Sequence, residues 1–177
     1  MKKAILIISI LIILTCLTLT AFTAEDVFEE GSTGKWEWEK VISPIDDTAT
    51  IWFGLRCEDT VNSRSPVLWL RWVNGKTGLY ISWNNYLSDN TSVTYRLDAE
   101  KAVKKTWNGS TNNETTFYPG KSETVIKFIQ KLMKANKLAV QVTPYGEGPT
   151  TAVFDIRGLK NVVEQFNDTL GWIEERE

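Results

Sequence analysis

Apolar and polar side chains alternate along most of the chain after residue 35. Trp36 and Trp38 alternate with Glu37 and Glu39, and residues 51–58 set Ile51, Phe53, Leu55 and Cys57 on one face. Leu79, Ile81 and Trp83 alternate with Tyr80 and Ser82, and Val93, Tyr95 and Leu97 with Thr94, Arg96 and Asp98. Successive side chains of a strand point to opposite faces, so each segment predicts a strand with one face in a core. Residues 66–73 are apolar on both faces except for Arg71, which predicts a central strand covered on both sides. Asn74-Gly75 between two such runs predicts a tight hairpin. Further strands are expected at residues 102–107, at Leu138, Val140 and Val142, and at Ala152, Phe154 and Ile156; the polar stretch 108–116 reads as an exposed loop.

The period changes twice. Val125, Ile126, Ile129, Leu132 and Met133 fall at helical spacing, with Ser122 in position to cap the start and Asn136 the end. Leu159, Val162, Val163, Phe166 and Leu170 form a second stripe, followed by a candidate cap at Gly171 and by Trp172, which can fold back onto Phe166. The fold class is therefore mainly β (α+β): an antiparallel β-sandwich or curled sheet with two packed α-helices.

The N-terminus reads as an export segment. Lys2 and Lys3 precede an apolar run over residues 4–22 with no charge before Glu25. The run approaches the ~20 residues that span a bilayer, and neither Ala21 nor Ala24 completes a small-x-small cleavage pattern, so a cleaved signal peptide and an uncleaved anchor both fit. Ile13-Leu14-Thr15-Cys16 is a poor lipobox. Either way, residues 1–24 are a signal or anchor and residues 25–177 a single exported domain, periplasmic or secreted, that meets the membrane only through its N-terminal segment.

Charge and composition narrow the chemistry. The chain carries a net −2, and without Lys2 and Lys3 it has 18 basic against 22 acidic side chains. A mildly acidic domain with no basic block has no electrostatic reason to bind nucleic acid. There is no histidine, which removes the commonest general base and metal ligand, and Cys57 is left as a small buried hydrophobe without an intrachain disulfide. Asp46-Asp47 and Glu58-Asp59 are adjacent on an extended chain and so point apart; Asp46 and Asp47 are better explained as turn chemistry after Pro44. Ser88-Asp89-Asn90 and Asn112-Asn113-Glu114 lack the spacing of a calcium loop. No catalytic residue, cofactor or metal is assigned, and the expectation is a protein that is not an enzyme.

Aromatics are the compositional excess, with eight tryptophans. Most read as core, whereas Trp36, Trp38, Trp52 and Trp107 are ambiguous, and Tyr118 and Tyr145 sit in turns beside Pro and Gly. These tyrosines either fold back on the sheet or line a recognition surface. Arg71 and Arg96 are expected to find carboxylates such as Asp155 or Glu147.

A series of short signatures runs through the chain in one order. They are Gly34-Lys35-Trp36, Ser43-Pro44-Ile45-Asp46-Asp47, Ser92-Val93-Thr94-Tyr95-Arg96-Leu97-Asp98, Thr116-Phe117-Tyr118-Pro119-Gly120, Thr143-Pro144-Tyr145-Gly146-Glu147-Gly148-Pro149 and Phe154-Asp155-Ile156-Arg157-Gly158-Leu159. In wording and spacing they resemble the VasI/TagO family of type VI secretion-associated envelope proteins, over residues 34–172. The resemblance implies a periplasmic accessory factor of a type VI secretion system acting by protein contact, with envelope proteins of the apparatus or peptidoglycan as partners. This chain departs from longer members in having only residues 25–33 where they carry a cysteine-containing stretch. Two other classes compete: a carbohydrate- or peptidoglycan-binding β module, favoured if Trp36, Trp38 and Tyr118 or Tyr145 lie exposed in one plane, and an inhibitor of a wall hydrolase, favoured if a rigid loop such as 143–149 projects into a partner cleft. Tyr118, Tyr145, Glu147, Trp36 and Trp38 form the candidate interaction surface.

Alkaline phosphatase fused after Glu25 should be active in a bacterial host, because the N-terminal segment carries it out of the cytoplasm. An inactive fusion would contradict export.

Overall fold

The computed structural model describes residues 28–58, 65–89 and 91–174. The export segment, Cys16, Asp59 and Asn90 lie outside the described residues. Eleven strands form two antiparallel sheets: β1 (Phe28–Thr33), β2 (Trp36–Ile42), β3 (Ala49–Arg56), β4 (Val67–Val73), β5 (Lys76–Ser82), β6 (Ser92–Leu97), β7 (Val103–Thr106), β8 (Asn108–Gly109), β9 (Thr115–Phe117), β10 (Lys137–Val142) and β11 (Thr150–Asp155). The seven-stranded sheet runs β1-β2-β3-β4-β5-β9-β8 and the four-stranded sheet β11-β10-β6-β7. With three short helices, α1 (Ser122–Leu132), α2 (Leu159–Glu164) and α3 (Asn167–Leu170), they make a sandwich around one core cluster.

Alternation placed the core correctly. Ile51, Phe53 and Leu55 of β3, Leu68 and Leu70 of β4, Leu79 and Ile81 of β5, and Leu138 and Val140 of β10 are all buried. The predicted hairpin joins β4 to β5, with Asn74 at φ 43° and Gly75 at φ 81°, the left-handed pair that a two-residue turn requires. Cys57 is buried, and its Sγ lies 3.3 Å from the Val153 carbonyl.

Several elements differ from expectation. A strand, β1, precedes the Trp36 strand and pairs with it through the Gly34-Lys35 turn. The stretch 108–116 is not a free loop: β8 and β9 form a small hairpin that extends the seven-stranded sheet, and buried Thr116 accepts the Trp83 indole N–H at 2.9 Å. Polar composition hid this because the hairpin contributes backbone and one hydroxyl rather than apolar bulk. The last helix is two: Phe166, at φ −120°, ends α2 and starts α3, so that its ring turns onto Trp38 and Phe53, at 4.9 and 5.6 Å between ring centroids. Trp172 packs on Phe53 as well, at 5.8 Å, and its indole N–H donates to Thr77 Oγ1. Gly171 ends α3 in the left-handed conformation, as anticipated. Ser122 does not cap α1; its hydroxyl accepts the Thr77 N–H instead, tying the helix to β5. Asn136 is not a left-handed cap, and its N–H donates to the Asp98 carboxylate. Finally, among the described residues β4 is covered by a second layer on one face only; on the other, Trp69 is half-buried and Arg71 exposed.

Phe53→Ala should cost about 3–5 kcal/mol, since it empties the contact shared by Phe166 and Trp172, whereas exposed Glu100→Ala should cost under about 0.5 kcal/mol. Denaturant midpoints of the two variants provide the comparison, and equal midpoints would contradict the packing.

Candidate functional site

The five residues singled out from the sequence do not share a surface. Trp36 is fully buried, and among the described residues its Nε1 meets no acceptor, so it presents no surface to a partner. Trp38 lies half-buried on the core side of β2 against Phe166. Tyr118 stacks on Phe128 of α1 at 4.3 Å, beneath the Lys105 ammonium, and burial raises its pKa. Tyr118 therefore folds back, as one of its two readings anticipated. Tyr145 is 75% exposed in the turn between β10 and β11 and meets Tyr86 edge-on. Glu147 is exposed in the same turn. A sugar platform built on Trp36, Trp38 and a turn tyrosine is thus corrected.

Two other constellations emerge. The first is a charged latch. Asp155, only 2% exposed at the end of β11, accepts hydrogen bonds from Arg157 Nε at 2.6 Å and Nη2 at 2.5 Å, and from Lys35 Nζ at 2.7 Å. Lys35 also reaches Glu58, just beyond β3. The expectation that Asp155 serves Arg71 or Arg96 fails, because residues nearer in space saturate it. A buried carboxylate persists only when hydrogen-bonded and paired, and here the bonds from Arg157, followed by Lys35, hold its pKa well below the usual carboxylate range.

The second constellation covers the outer face of the seven-stranded sheet. Strand register sets one row across it, Ser32, Glu37, Gly54, Trp69, Tyr80 and Phe117, and beside it a second, Glu30, Glu39, Trp52, Arg71 and Gly78. Trp69 and Tyr80 lie nearly parallel, 24° apart at 6.4 Å, and Trp52 meets both edge-on. Gly54 is what lets Trp69 lie flat, since a Cβ there would stand 2.8 Å from the indole ring. The Arg71 guanidinium sits 4.5 Å above the Trp52 ring rather than on a carboxylate. Half-burial among these rings pushes the Tyr80 hydroxyl up to about 12, against the opposing pull of Arg71, so it stays protonated at neutral pH. A groove of about 370 Å³ crosses the acidic end, lined by Glu30, Gly31, Ser32, Glu37, Trp38, Glu39, Trp52 and Trp69. The sequence signal was present, because β4 is apolar on both faces, but it read as double burial, whereas among the described residues no second layer covers the outer side. Among the described residues no group of three or more His, Cys, Asp or Glu is placed to hold a metal. The face offers stacking, cation–π and hydrogen-bonding contacts, which is the chemistry of recognition.

A sequence-family model described as "Type VI secretion system VasI, EvfG, VC_A0118" matches residues 29–172. The chain belongs to the VasI family. No curated protein sequence matches it significantly. Among solved structures it is similar to invasion associated protein B from Bartonella henselae, with a TM-score of 0.53 at 12% identity over 79% of this chain and 96% of that one; at that identity the likeness is one of fold. In this VasI-family chain four of the six motifs that carry the resemblance meet pairwise in space. Lys35 of Gly34-Lys35-Trp36 bonds Asp155 of Phe154-Asp155-Ile156-Arg157-Gly158-Leu159. Tyr95 of the Ser92–Leu97 strand meets Tyr118 of Thr116-Phe117-Tyr118-Pro119-Gly120 edge-on at 6.3 Å, so these motifs serve as assembly points of the fold.

Asp155→Asn should destabilise the domain by roughly 2–3 kcal/mol at neutral pH, the loss of charged hydrogen bonds. The native pKa of Asp155 lies below its unfolded value of about 3.9, so between those two values the unfolded chain binds more protons and acid favours unfolding. The gap between wild type and variant should therefore stay constant above about pH 5 and shrink as pH falls below about 4. Denaturant titrations across that range measure it, and a gap that widens in acid would contradict the latch.

Proposed function

We propose that this VasI-family domain is a non-enzymatic accessory component of a type VI secretion system, acting in the periplasm by protein contact through the aromatic outer face of its seven-stranded sheet. The observation that carries the reading is the combination of family membership with that face. Trp52, Trp69, Tyr80 and Phe117 lie side by side on neighbouring strands, away from the core, with Arg71 among them. Aromatic residues and arginine are enriched at protein interfaces, where rigid rings contribute contact area at low entropic cost. A β-sheet scaffold holds them without rearrangement, which reduces the ordering cost of docking. The turn carrying Tyr145 and Glu147 is the alternative contact point, favoured by the exposure of Tyr145 against Tyr86. The apolar N-terminal segment supports placement outside the cytoplasm.

Deletion of the gene in its native host should reduce secretion of the tube protein and killing of competitor cells. Complementation with the Trp52→Ala, Trp69→Ala double variant should fail although the protein accumulates folded, whereas Asp46→Asn should complement. Unchanged secretion after deletion would refute the accessory role, and full complementation by the double tryptophan variant would move the contact to the Tyr145 turn.

A further inference from the structure

We propose that the acidic end of the aromatic face is a receptor for a basic, extended polypeptide segment of the partner, whose lysine or arginine side chains enter the groove between Glu30, Glu37 and Glu39 and the rings of Trp52 and Trp69; this rests on the reading of that face as the contact surface. Three observations converge on it. First, Glu30 and Glu39 are direct cross-strand partners on one face of the sheet, and Glu37 is next on that face of β2. Like charges directly opposite one another on a sheet are destabilising, and none of the ion pairs formed among the described residues includes any of the three. A cation from outside relieves that repulsion.

Second, the groove of about 370 Å³ has indole walls as well as carboxylates. It thus combines the two groups that hold a cationic side chain, a ring face for the charge and the aliphatic stem and a carboxylate for the hydrogen bonds. Third, the face already binds one such group from its own chain, since the Arg71 guanidinium rests 4.5 Å over Trp52. A partner's basic residue on the far side of Trp52, above Trp69 and between the glutamates, repeats a contact that the fold has made once. The two rows of the sheet also favour an extended ligand, because side chains that alternate along a strand meet receptor positions spaced along the face. A glycan strand would use the rings but gains little from a concentration of carboxylates without a counter-charge, so the acidic end discriminates between the two.

The probe is a capped peptide in which lysine alternates with threonine, titrated into the purified exported domain by calorimetry with indole fluorescence in parallel. Saturable binding is expected, weakening as salt rises, with the dissociation constant at least tenfold higher for Glu37→Gln, Glu39→Gln and unchanged for Glu123→Gln on α1. The same peptide with glutamate for lysine should not bind. The Glu39→Gln change should leave the denaturant midpoint equal or higher, because it removes one of the opposed charges, and this separates a receptor role from a structural one. Absence of saturable binding, equal affinity in the Glu37→Gln, Glu39→Gln variant, or tighter binding of soluble peptidoglycan glycan strands than of the peptide would each overturn the inference. If the Trp52→Ala, Trp69→Ala variant abolishes secretion while the lysine peptide fails to bind, the contact surface stands and only the basic partner falls.

Discussion

The carboxylate of Asp155 ties the two sheets of the sandwich to each other. It ends β11 of the four-stranded sheet, yet one of its hydrogen bonds comes from Lys35, in the turn that starts the second strand of the other sheet. Lys35 in turn reaches Glu58, where the chain leaving β3 lies beside β11 and donates the Glu58 N–H to the Val153 carbonyl. A buried charge needs hydrogen-bonded partners, and here they come both from Arg157 just after β11 and from Lys35 of the other sheet. Trp36, adjacent to Lys35, is packed fully inside the sandwich at the same end.

With the sheets so fixed, the seven-stranded one has two unlike faces. Its inner side meets the core through Phe53, Leu70 and Leu79, and is closed by Phe166 and Trp172 from the C-terminal segments. Among the described residues its outer side has no covering layer and instead covers itself: Trp69 lies over Gly54, Tyr80 lies beside Trp69, and Arg71 roofs Trp52. Such self-covering keeps large rings at the surface without a loose apolar patch. It also leaves flat rings and glutamates available for a partner at the β1–β2 side.

Membership of the VasI family supplies a setting, type VI secretion, and the likeness to invasion associated protein B extends the fold beyond it at low identity. Neither assigns a role to a residue. Several of the family-like motifs have a folding role: Asp98 accepts the Asn136 and Lys137 N–H groups where β6 ends, and Tyr118 is held between Tyr95 and Phe128. The aromatic outer face lies largely outside those motifs, on β3, β4 and β5. The aromatic outer face is therefore separable from most of the residues that identify the family.

Local patterning by itself determined most of the elements. A period of two marked β3, β5, β6 and β10, Asn74-Gly75 marked the hairpin, and a helical stripe marked α1, because in each case neighbouring side chains alone decide which face is apolar. Long-range partners decided the rest. The hairpin at 108–116 exists because β5 offers it an edge and Trp83 offers its hydroxyl a donor, neither of which a polar stretch reveals. The break at Phe166 depends on Trp38 and Phe53 standing nearby. Full burial of Trp36 and the half-buried outer-face positions of Trp52 and Trp69 could not be told apart by alternation, since a tryptophan on a strand face is equally apolar whether or not a second layer covers it. Only tertiary structure settles which sheet face receives that layer.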